Sequence, residues 1–532
     1  MADPRPRVFG TETEYSVSPV NAAEAINCER VYLVNGSLVY KDAGHHLEHA
    51  TAECLSVRDL IAQEKAGETI IERVSQERLK HLKDDSKRRN ENENPEAQRT
   101  EEGYDTYRGD ETGYPVLEQT PKMTRDAVLR LARLRLRKDQ NDYSDHSYGY
   151  HESYQILRNA FPHVKESLLP HLPTREIITG AGAYDPHTDT FVISPRAKFL
   201  TCATGTSTQD NRPIINLRDE ALGLKDDYYR LHLICGSANM SEVSTLLKIG
   251  TTRIVIMMAE DGFPGITEIP VPRDPLAAFK TIASDLTLQA KIETNQGMKR
   301  ALDIQRALLS TAYRYFSNRI RPTEEENLIL NTWGETLDLL ERDPRLLDRR
   351  LDWVIKRTWM EAYVTARNSG GYKREKEEDP RHVKAQFDKR YSLIGEGSAF
   401  YLLQGKGIIE RILTDDEVNW AVTNPPHDTR ASFRGRLVEY ATQTGGVTLV
   451  SADWTAVLMR TGGRDLAFIL DDPHISEFDG FDITDLVGSM VEKGRNAVQI
   501  GKNGLTFPGE ASPSKPPYAD QNQEDYGVSR TC

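Results

Sequence analysis

Residues 7–15 read RVFGTETEY, and residues 31–54 read VYLVNGSLVYKDAGHHLEHATAEC. The first stretch has the character of a β-strand in which Glu12 and Glu14 lie two apart, so the period-two geometry of a strand points both carboxylates to one face. Two readings of that pair stand. It is a solvent-facing acidic strand, or it is a site for a hard cation, because Mg²⁺ takes oxygen ligands and is shared between carboxylates and nucleotide phosphates. Like charges side by side repel, so a sheet interior accepts them only with a cation present. The second stretch predicts a strand over 31–41 with a hairpin turn at Asn35-Gly36. Beyond it Asp42, His45, His46, Glu48, His49 and Glu53 crowd into residues 42–54, a density of ligand-type groups that ordinary core packing does not explain.

Working outward, Leu60, Ile61, Ala66, Ile70, Ile71, Val74 and Leu79 follow a 3.6-residue period and predict a helix over 57–82. Residues 83–125 are charged in both signs and nearly free of aliphatics. They cannot bury enough surface to offset the entropy of ordering, which predicts a flexible insertion: a solvated loop, or a mobile element over the site. Order returns at 129–138, and strand-like segments follow at 175–179, 191–193, 212–217, 230–235 and 252–258. The middle of the chain therefore predicts a mostly antiparallel sheet with helices on one side. Helices dominate from 275 onward, with amphipathic stretches at 301–316 and 350–366 and a capping box formed by Thr323 and Glu326. Asn424-Pro425-Pro426 marks a boundary, 430–492 predicts a small α+β appendix, and the Pro-, Ser-, Gln- and Asp-rich tail after 506 predicts disorder. The expected organisation is an α+β domain over 1–420, a small C-terminal domain over 421–505, and a tail over 506–532.

The 532 residues carry a net charge of -13, which argues against nucleic acid as the main partner. No apolar run is long enough to span a membrane, and the N-terminal MADPRPRVFG lacks a secretory signal's apolar core. Cys28, Cys54, Cys202, Cys235 and Cys532 show no CxxC spacing, as expected of a reducing cytoplasm without a zinc site.

Further chemistry-bearing residues lie downstream. In SYGYHESY (147–154), Gly149 beside His151 and Glu152 permits close approach of a ligand, although a surface loop is the alternative. RPIINLRDE (212–220) sets Arg218 at the end of an apolar strand, where a guanidinium either clamps phosphate oxygens or pairs with Asp219. His232, flanked by apolar residues, taken alone reads as a satisfied core histidine more readily than as a ligand. No GxxxxGK[ST] loop and no GxGxxG after a strand is present, so ordinary nucleotide folds are unsupported. Acidic sites of this composition serve phosphoryl transfer, with cations neutralising the phosphates and arginines steadying the moving group.

The segments GTETEY, NGSLVYKDAGHHLEHATAEC, KAGE, SYGYHESY, TREIITGAGA and RPIINLRDE resemble motifs of the Pup ligase and its sister, the Pup deamidase/depupylase. So do YYRLHLICGSANMSEVSTLLKIGTT, ALDIQR, LDWVIKR and NPPHDTRASFRG, in family order across roughly 8–470. The family is similar to glutamine synthetase and the carboxylate–amine ligases. The resemblance implies a curved antiparallel sheet cradling ATP and metals, with a smaller C-terminal domain. It implies Mg²⁺ at Glu12, with Glu14 its strand neighbour, and at Tyr40 and Glu48. It implies ATP contacts at Thr51 and Trp454, His151 and His232 facing the nucleotide and metals, and Asp42 as the catalytic base. About twenty residues separate Glu14 from Asn35, without the deamidase's long insertion, which favours the ligase. The sequence departs from the family where Leu38 stands for an arginine, Leu47 for a proline, Ser153 for an asparagine and ALGLKDD for PHAD.

The expected activity is therefore ATP-dependent phosphorylation of the C-terminal glutamate side chain of a Pup-like protein modifier, then isopeptide formation with lysines of protein substrates in a bacterial cytoplasm. The alternatives are hydrolysis of the modifier's amide or isopeptide in the same pocket, and a small-molecule glutamate–amine ligase.

Overall fold

The computed structural model describes residues 7–18, 30–42, 44–91, 108–109, 115–116, 135–141, 143, 146–369, 379–475, 482–501 and 504–507. In chain order the strands of its first part are β1 (Phe9–Ser18), β2 (Val31–Tyr32), β3 (Leu38–Lys41), β4 (Leu47–Ala50), β5 (Arg108–Gly109), β6 (Pro115–Val116), β7 (Arg135–Arg137), β8 (Tyr150–Leu157), β9 (Ala183–Asp185), β10 (Thr190–Val192), β11 (Cys202–Gly205), β12 (Pro213–Asn216) and β13 (Tyr228–Leu233). One nine-stranded sheet runs β11-β12-β13-β8-β1-β4-β3-β2, with β7 paired to the far end of β1. Its pairings are antiparallel except that of β11 with β12.

Alternation decides what each face holds. Phe9, Tyr15 and Val17 of β1, Tyr154 and Ile156 of β8, and Leu231 and Leu233 of β13 turn into the main hydrophobic core. There they meet Leu60, Ile61, Ile70 and Ile71 of α1 (Val57–Glu91) and the helices Phe161–Thr174 and Glu242–Glu260. The opposite face carries the polar residues. The Asn35-Gly36 turn closes as expected: Gly36 adopts φ +76°, its N–H donates to the Leu33 carbonyl, and the Leu33 N–H donates to Ser37.

A second core, built from Phe433, Leu437, Val457, Phe468, Met490 and Val498 among others, lies between the helix Ala431–Gln443, the helix Ile483–Glu492 and a five-stranded sheet. This unit rests on the polar face of the large sheet, where Val438 joins Tyr32, Leu38 and Ala50.

Three expectations are corrected. Residues 252–258 lie inside the helix Glu242–Glu260, started by the Ser241 side chain accepting from the Ser244 N–H. A β-branched apolar run in a helix buried on nearly all sides gives no period to tell it from a strand. Residues 175–179 form a helical turn, Glu176–Thr179, held by the Trp353 indole donating to the Ile177 carbonyl. The helix expected to stop at 82 continues to Glu91, because its Lys, Arg and Glu residues are good helix formers despite their charge. The rest of the 83–125 insertion, β5 and β6 apart, lies outside the described residues, as does the tail beyond 507. The capping box forms: the Thr323 hydroxyl accepts from the Glu326 N–H at 3.2 Å, and Glu326 accepts from the Thr323 N–H at 2.7 Å.

Candidate active site

Strand register assembles the site on the polar face. Glu14 lies opposite Glu48, Glu48 opposite Tyr40, and Glu12 opposite His151. On the next strand His232 and Arg230 point the same way, with His232 opposite Ser153. Side chains from distant positions thus line up across five adjacent strands, β3-β4-β1-β8-β13.

Two clusters of potential ligand atoms result. Glu12, His151 and His232 bring one atom each within 4.8 Å of one another, and so do Glu14, Asp42 and His46. The rings of His151 and His232 stand edge to face at 5.2 Å. His232 is 5% exposed, and neither ring nitrogen has a hydrogen-bond partner. Burial, and next the charge of Arg230, hold it well below the usual imidazole range, so both nitrogens belong to a neutral ring. A buried polar group without a partner calls for an explanation such as an ion.

The carboxylates are set apart by their surroundings. Glu12 pairs with Arg230 at 2.7 Å and with His151 Nδ1 at 3.3 Å. Although burial pushes it up, Arg230 and the His151 hydrogen bond hold it far below the usual carboxylate range. Glu48 is pushed well above that range by burial and by the charges of Glu12 and Glu14. Glu14 accepts from His46 Nδ1 at 2.9 Å, which offsets its burial and holds it low. Three glutamates around one hollow, one of them driven toward its protonated form by the others, make a donor set that a divalent cation would neutralise.

Asp42 lies in the tight turn between β3 and β4. Its N–H donates to the His46 carbonyl, its own carbonyl accepts from the His45 N–H, and His45 takes φ +65°. The His46 N–H donates to Asp42 Oδ1 at 2.5 Å. Burial and the Glu14 charge raise the Asp42 carboxyl.

Beside these clusters opens a cleft lined by Phe9, Glu12, Thr51, Ser153, Arg230 and Trp454. Thr51 Oγ1 accepts from the Thr11 N–H at 3.0 Å. Trp454 reaches the cleft from the second unit, edge to face with Tyr32 at 5.4 Å and beneath the Arg434 guanidinium at 4.8 Å. The large sheet and the small unit both contribute walls.

The structure brings together Glu12, Glu14, Tyr40, Asp42, Glu48, His151 and His232, with Thr51 and Trp454 in the adjoining cleft. Arg218 stands at the rim, where its guanidinium pairs with Glu220 and its charge reaches His232, while Asp219 pairs with Arg158. Arg230 lies deeper in the site, bridging Glu12, Glu220 and the Ser153 hydroxyl. Its signal was present, since it lies two residues before His232 on one strand. Within 42–54, His49 leaves the site, and Glu53 passes to the wall of the adjoining cleft. His49 alternates into the core beneath the sheet, and Glu53 binds Arg430 at 2.7 Å and Arg434 at 2.5 Å.

Residues 19–458 match the family model described as Pup-ligase protein. The chain is 33% identical over 463 residues to the Pup–protein ligase of Mycolicibacterium smegmatis, covering 82% of this chain and 90% of that protein. It is 32% identical over the same length to the enzyme of Mycobacteroides abscessus. Among solved structures, the complex of the prokaryotic ubiquitin-like protein Pup with its ligase PafA superposes with a TM-score of 0.73 at 27% identity, covering 92% of this chain and 93% of that one. PafA in complex with ADP superposes with a TM-score of 0.66 at 28% identity, covering 89% and 92%. A carboxylate-lined sheet face, an open cleft beside it and a match over most of the chain agree, and the chain belongs to the Pup ligase family.

Proposed function

We propose that this protein is an ATP-dependent carbon–nitrogen ligase that joins the side-chain carboxylate of the C-terminal glutamate of a Pup-like modifier to lysines of protein substrates. The observation that carries the reading is the row Tyr40–Glu48–Glu14 running into Glu12–His151 beside a cleft bordered by Thr51 and Trp454. Glu12, Glu14, Glu48 and Tyr40 would supply oxygens, and one unpartnered nitrogen of His232 a further ligand, for Mg²⁺. When bound, the cation supplies positive charge against which a triphosphate is held.

Arg230 adds a fixed guanidinium, suited to phosphate oxygens by its planar fork. Trp454 and Thr51 border the nucleotide, and His151 faces it. The γ-phosphoryl group passes from ATP to a carboxylate oxygen of the modifier, releasing ADP. The lysine nitrogen then attacks the activated carbonyl carbon, the new C–N bond replaces the bond to phosphate, and phosphate departs. The lysine arrives as an ammonium with an ordinary pKa of about 10.4 and must give up a proton. Asp42 takes it: burial and Glu14 make its carboxylate a stronger base than an exposed one, and the His46 main chain fixes its direction.

The bacterial cytoplasm is the proposed compartment, supported by the unpaired thiols of Cys54 and Cys235 in the core. Incubation with a modifier ending in glutamate, Mg·ATP and a lysine-bearing protein tests the reading. ADP together with a protein heavier by the modifier's mass, less one water, is expected. Release of modifier from a conjugate without ADP would replace the ligase by a hydrolase.

A further inference from the structure

Beneath the catalytic face, on the helix side of the sheet, one carboxylate touches both strands that carry the Glu12–His151 pair. Glu64 of α1 is 3% exposed. Its Oε1 accepts from the Thr11 hydroxyl at 2.8 Å and from the Tyr150 hydroxyl at 2.5 Å. Thr11 immediately precedes Glu12 on β1, and Tyr150 immediately precedes His151 on β8. Because side chains alternate, each hydroxyl points down to Glu64 while its neighbour points up into the site. Glu12 and His151 are directly opposed, with Thr11 opposite Glu152 and Thr13 opposite Tyr150. Slipping one strand by a residue would turn Glu12 or His151 to the wrong face.

The carboxylate is neutralised where it sits. Lys138 Nζ reaches Glu64 Oε2 at 3.3 Å and Glu68 Oε1 at 3.0 Å, and Lys248 Nζ stands 3.4 Å over the Tyr150 ring. A charged acceptor bonds hydroxyls more strongly than a neutral one, and the dry surroundings leave the two hydroxyls no water to turn to. Glu68, one turn along α1, has a similar charge environment but touches neither strand. It binds Lys65 at 3.1 Å, Lys138 and the Tyr401 hydroxyl.

Resting on the nucleotide and metal reading above, we infer that Glu64 is a positioning residue, which through Thr11 and Tyr150 locks β1 and β8 in the register and spacing that the Glu12–His151–His232 cluster needs. It touches no reacting atom. Its effect is on the geometry of groups that do.

Thr11→Val and Tyr150→Phe each remove one hydroxyl while keeping the side chain's size. Tyr401→Phe removes the same atom from Glu68 and serves as the matched control. Calorimetric titration of each folded protein with ADP at several Mg²⁺ concentrations, alongside its melting temperature, is the experiment. Thr11→Val and Tyr150→Phe are expected to weaken Mg²⁺-dependent ADP binding by roughly tenfold, about the worth of one hydrogen bond to a charged group. Tyr401→Phe should melt lower by a similar margin yet bind as the unaltered protein does. Unchanged affinity in Thr11→Val and Tyr150→Phe, or an equal loss in Tyr401→Phe, would overturn the inference alone. Failure of the unaltered protein to bind Mg·ADP would overturn the nucleotide reading and this inference together.

Discussion

Asp42 owes its proposed role to a turn and to a neighbour. The β3–β4 connection folds back so tightly that the His46 N–H reaches the Asp42 carboxylate, while Glu14 on the next strand but one raises its proton affinity. Asp42→Asn keeps the shape and the hydrogen bond but cannot accept the lysine proton. Conjugation is therefore expected to fall by roughly 10²–10⁴-fold while Mg·ATP binding stays near its original strength. Turnover assays and nucleotide calorimetry on the same preparation check both halves. The partition of the 42–54 cluster is equally a matter of single residues. Glu48 and His49 are adjacent, so one enters the site and the other the core, and Glu53 lies beyond the strand against two arginines. Counting ligand-type residues in a segment overstates the site for this reason, and strand parity corrects it. The same parity identifies Arg230 from His232, whereas Arg218, at a strand end, pairs with Glu220 at the rim and acts on His232 through its charge.

At the scale of elements, the approach of β8 to β1 depends on Gly149. A Cβ there would stand 2.6 Å from Glu14 Oε1 and 2.7 Å from His151 Nε2. Both are ends of flexible side chains, so Gly149→Ala should fold, with both groups displaced. A melting temperature within a few degrees of the original, joined to a raised Mg²⁺ requirement for nucleotide binding, is the expected outcome. The helix Glu324–Arg342 makes the opposite case, since its capping box is remote in sequence from every residue of the site. Thr323→Ala should cost ~1 kcal/mol in denaturant unfolding with conjugation unaltered. Elements whose beginnings are written in local chemistry, such as this cap and the Asn35-Gly36 turn, were legible without the fold. Elements 252–258 and 175–179 were not. The first lies buried within a longer helix, and the second is held by Arg175 binding Glu152 and Thr252 and by Trp353 binding Ile177, so neither state is set by a periodicity of its own.

Across the whole molecule, Glu53 fastens the small unit to the sheet. Arg430 and Arg434 both bind its carboxylate, and Arg434 also donates to the Gly36 carbonyl at 2.7 Å and passes 4.8 Å from the Trp454 ring. Burial alone would raise Glu53, but the two guanidinium groups hold it at about 2, against 4.5 for a free glutamate. A depressed folded value means stability that is fully present above about pH 4.5 and is lost as pH falls toward 2. The loss is on the order of 3 kcal/mol from this group. Unfolding midpoints measured from pH 6 down to 3 should therefore drop more steeply than in Glu53→Gln, which starts lower because two buried arginines have lost their counter-charge. A parallel pH slope in both proteins would remove Glu53 from the linkage. The sequence by itself determined the strand face of Glu12 and Glu14, the hairpin, the helix cap and, through ordered motifs, the family, because each rests on neighbours a few residues apart or on a pattern copied along the chain. Only the tertiary structure decided that Arg230 meets Glu12, that Glu53 clamps the two units, and that Glu64 meets Thr11 and Tyr150. Those contacts join residues far apart in the chain, and their partners are chosen by sheet register and burial, which no local spacing encodes.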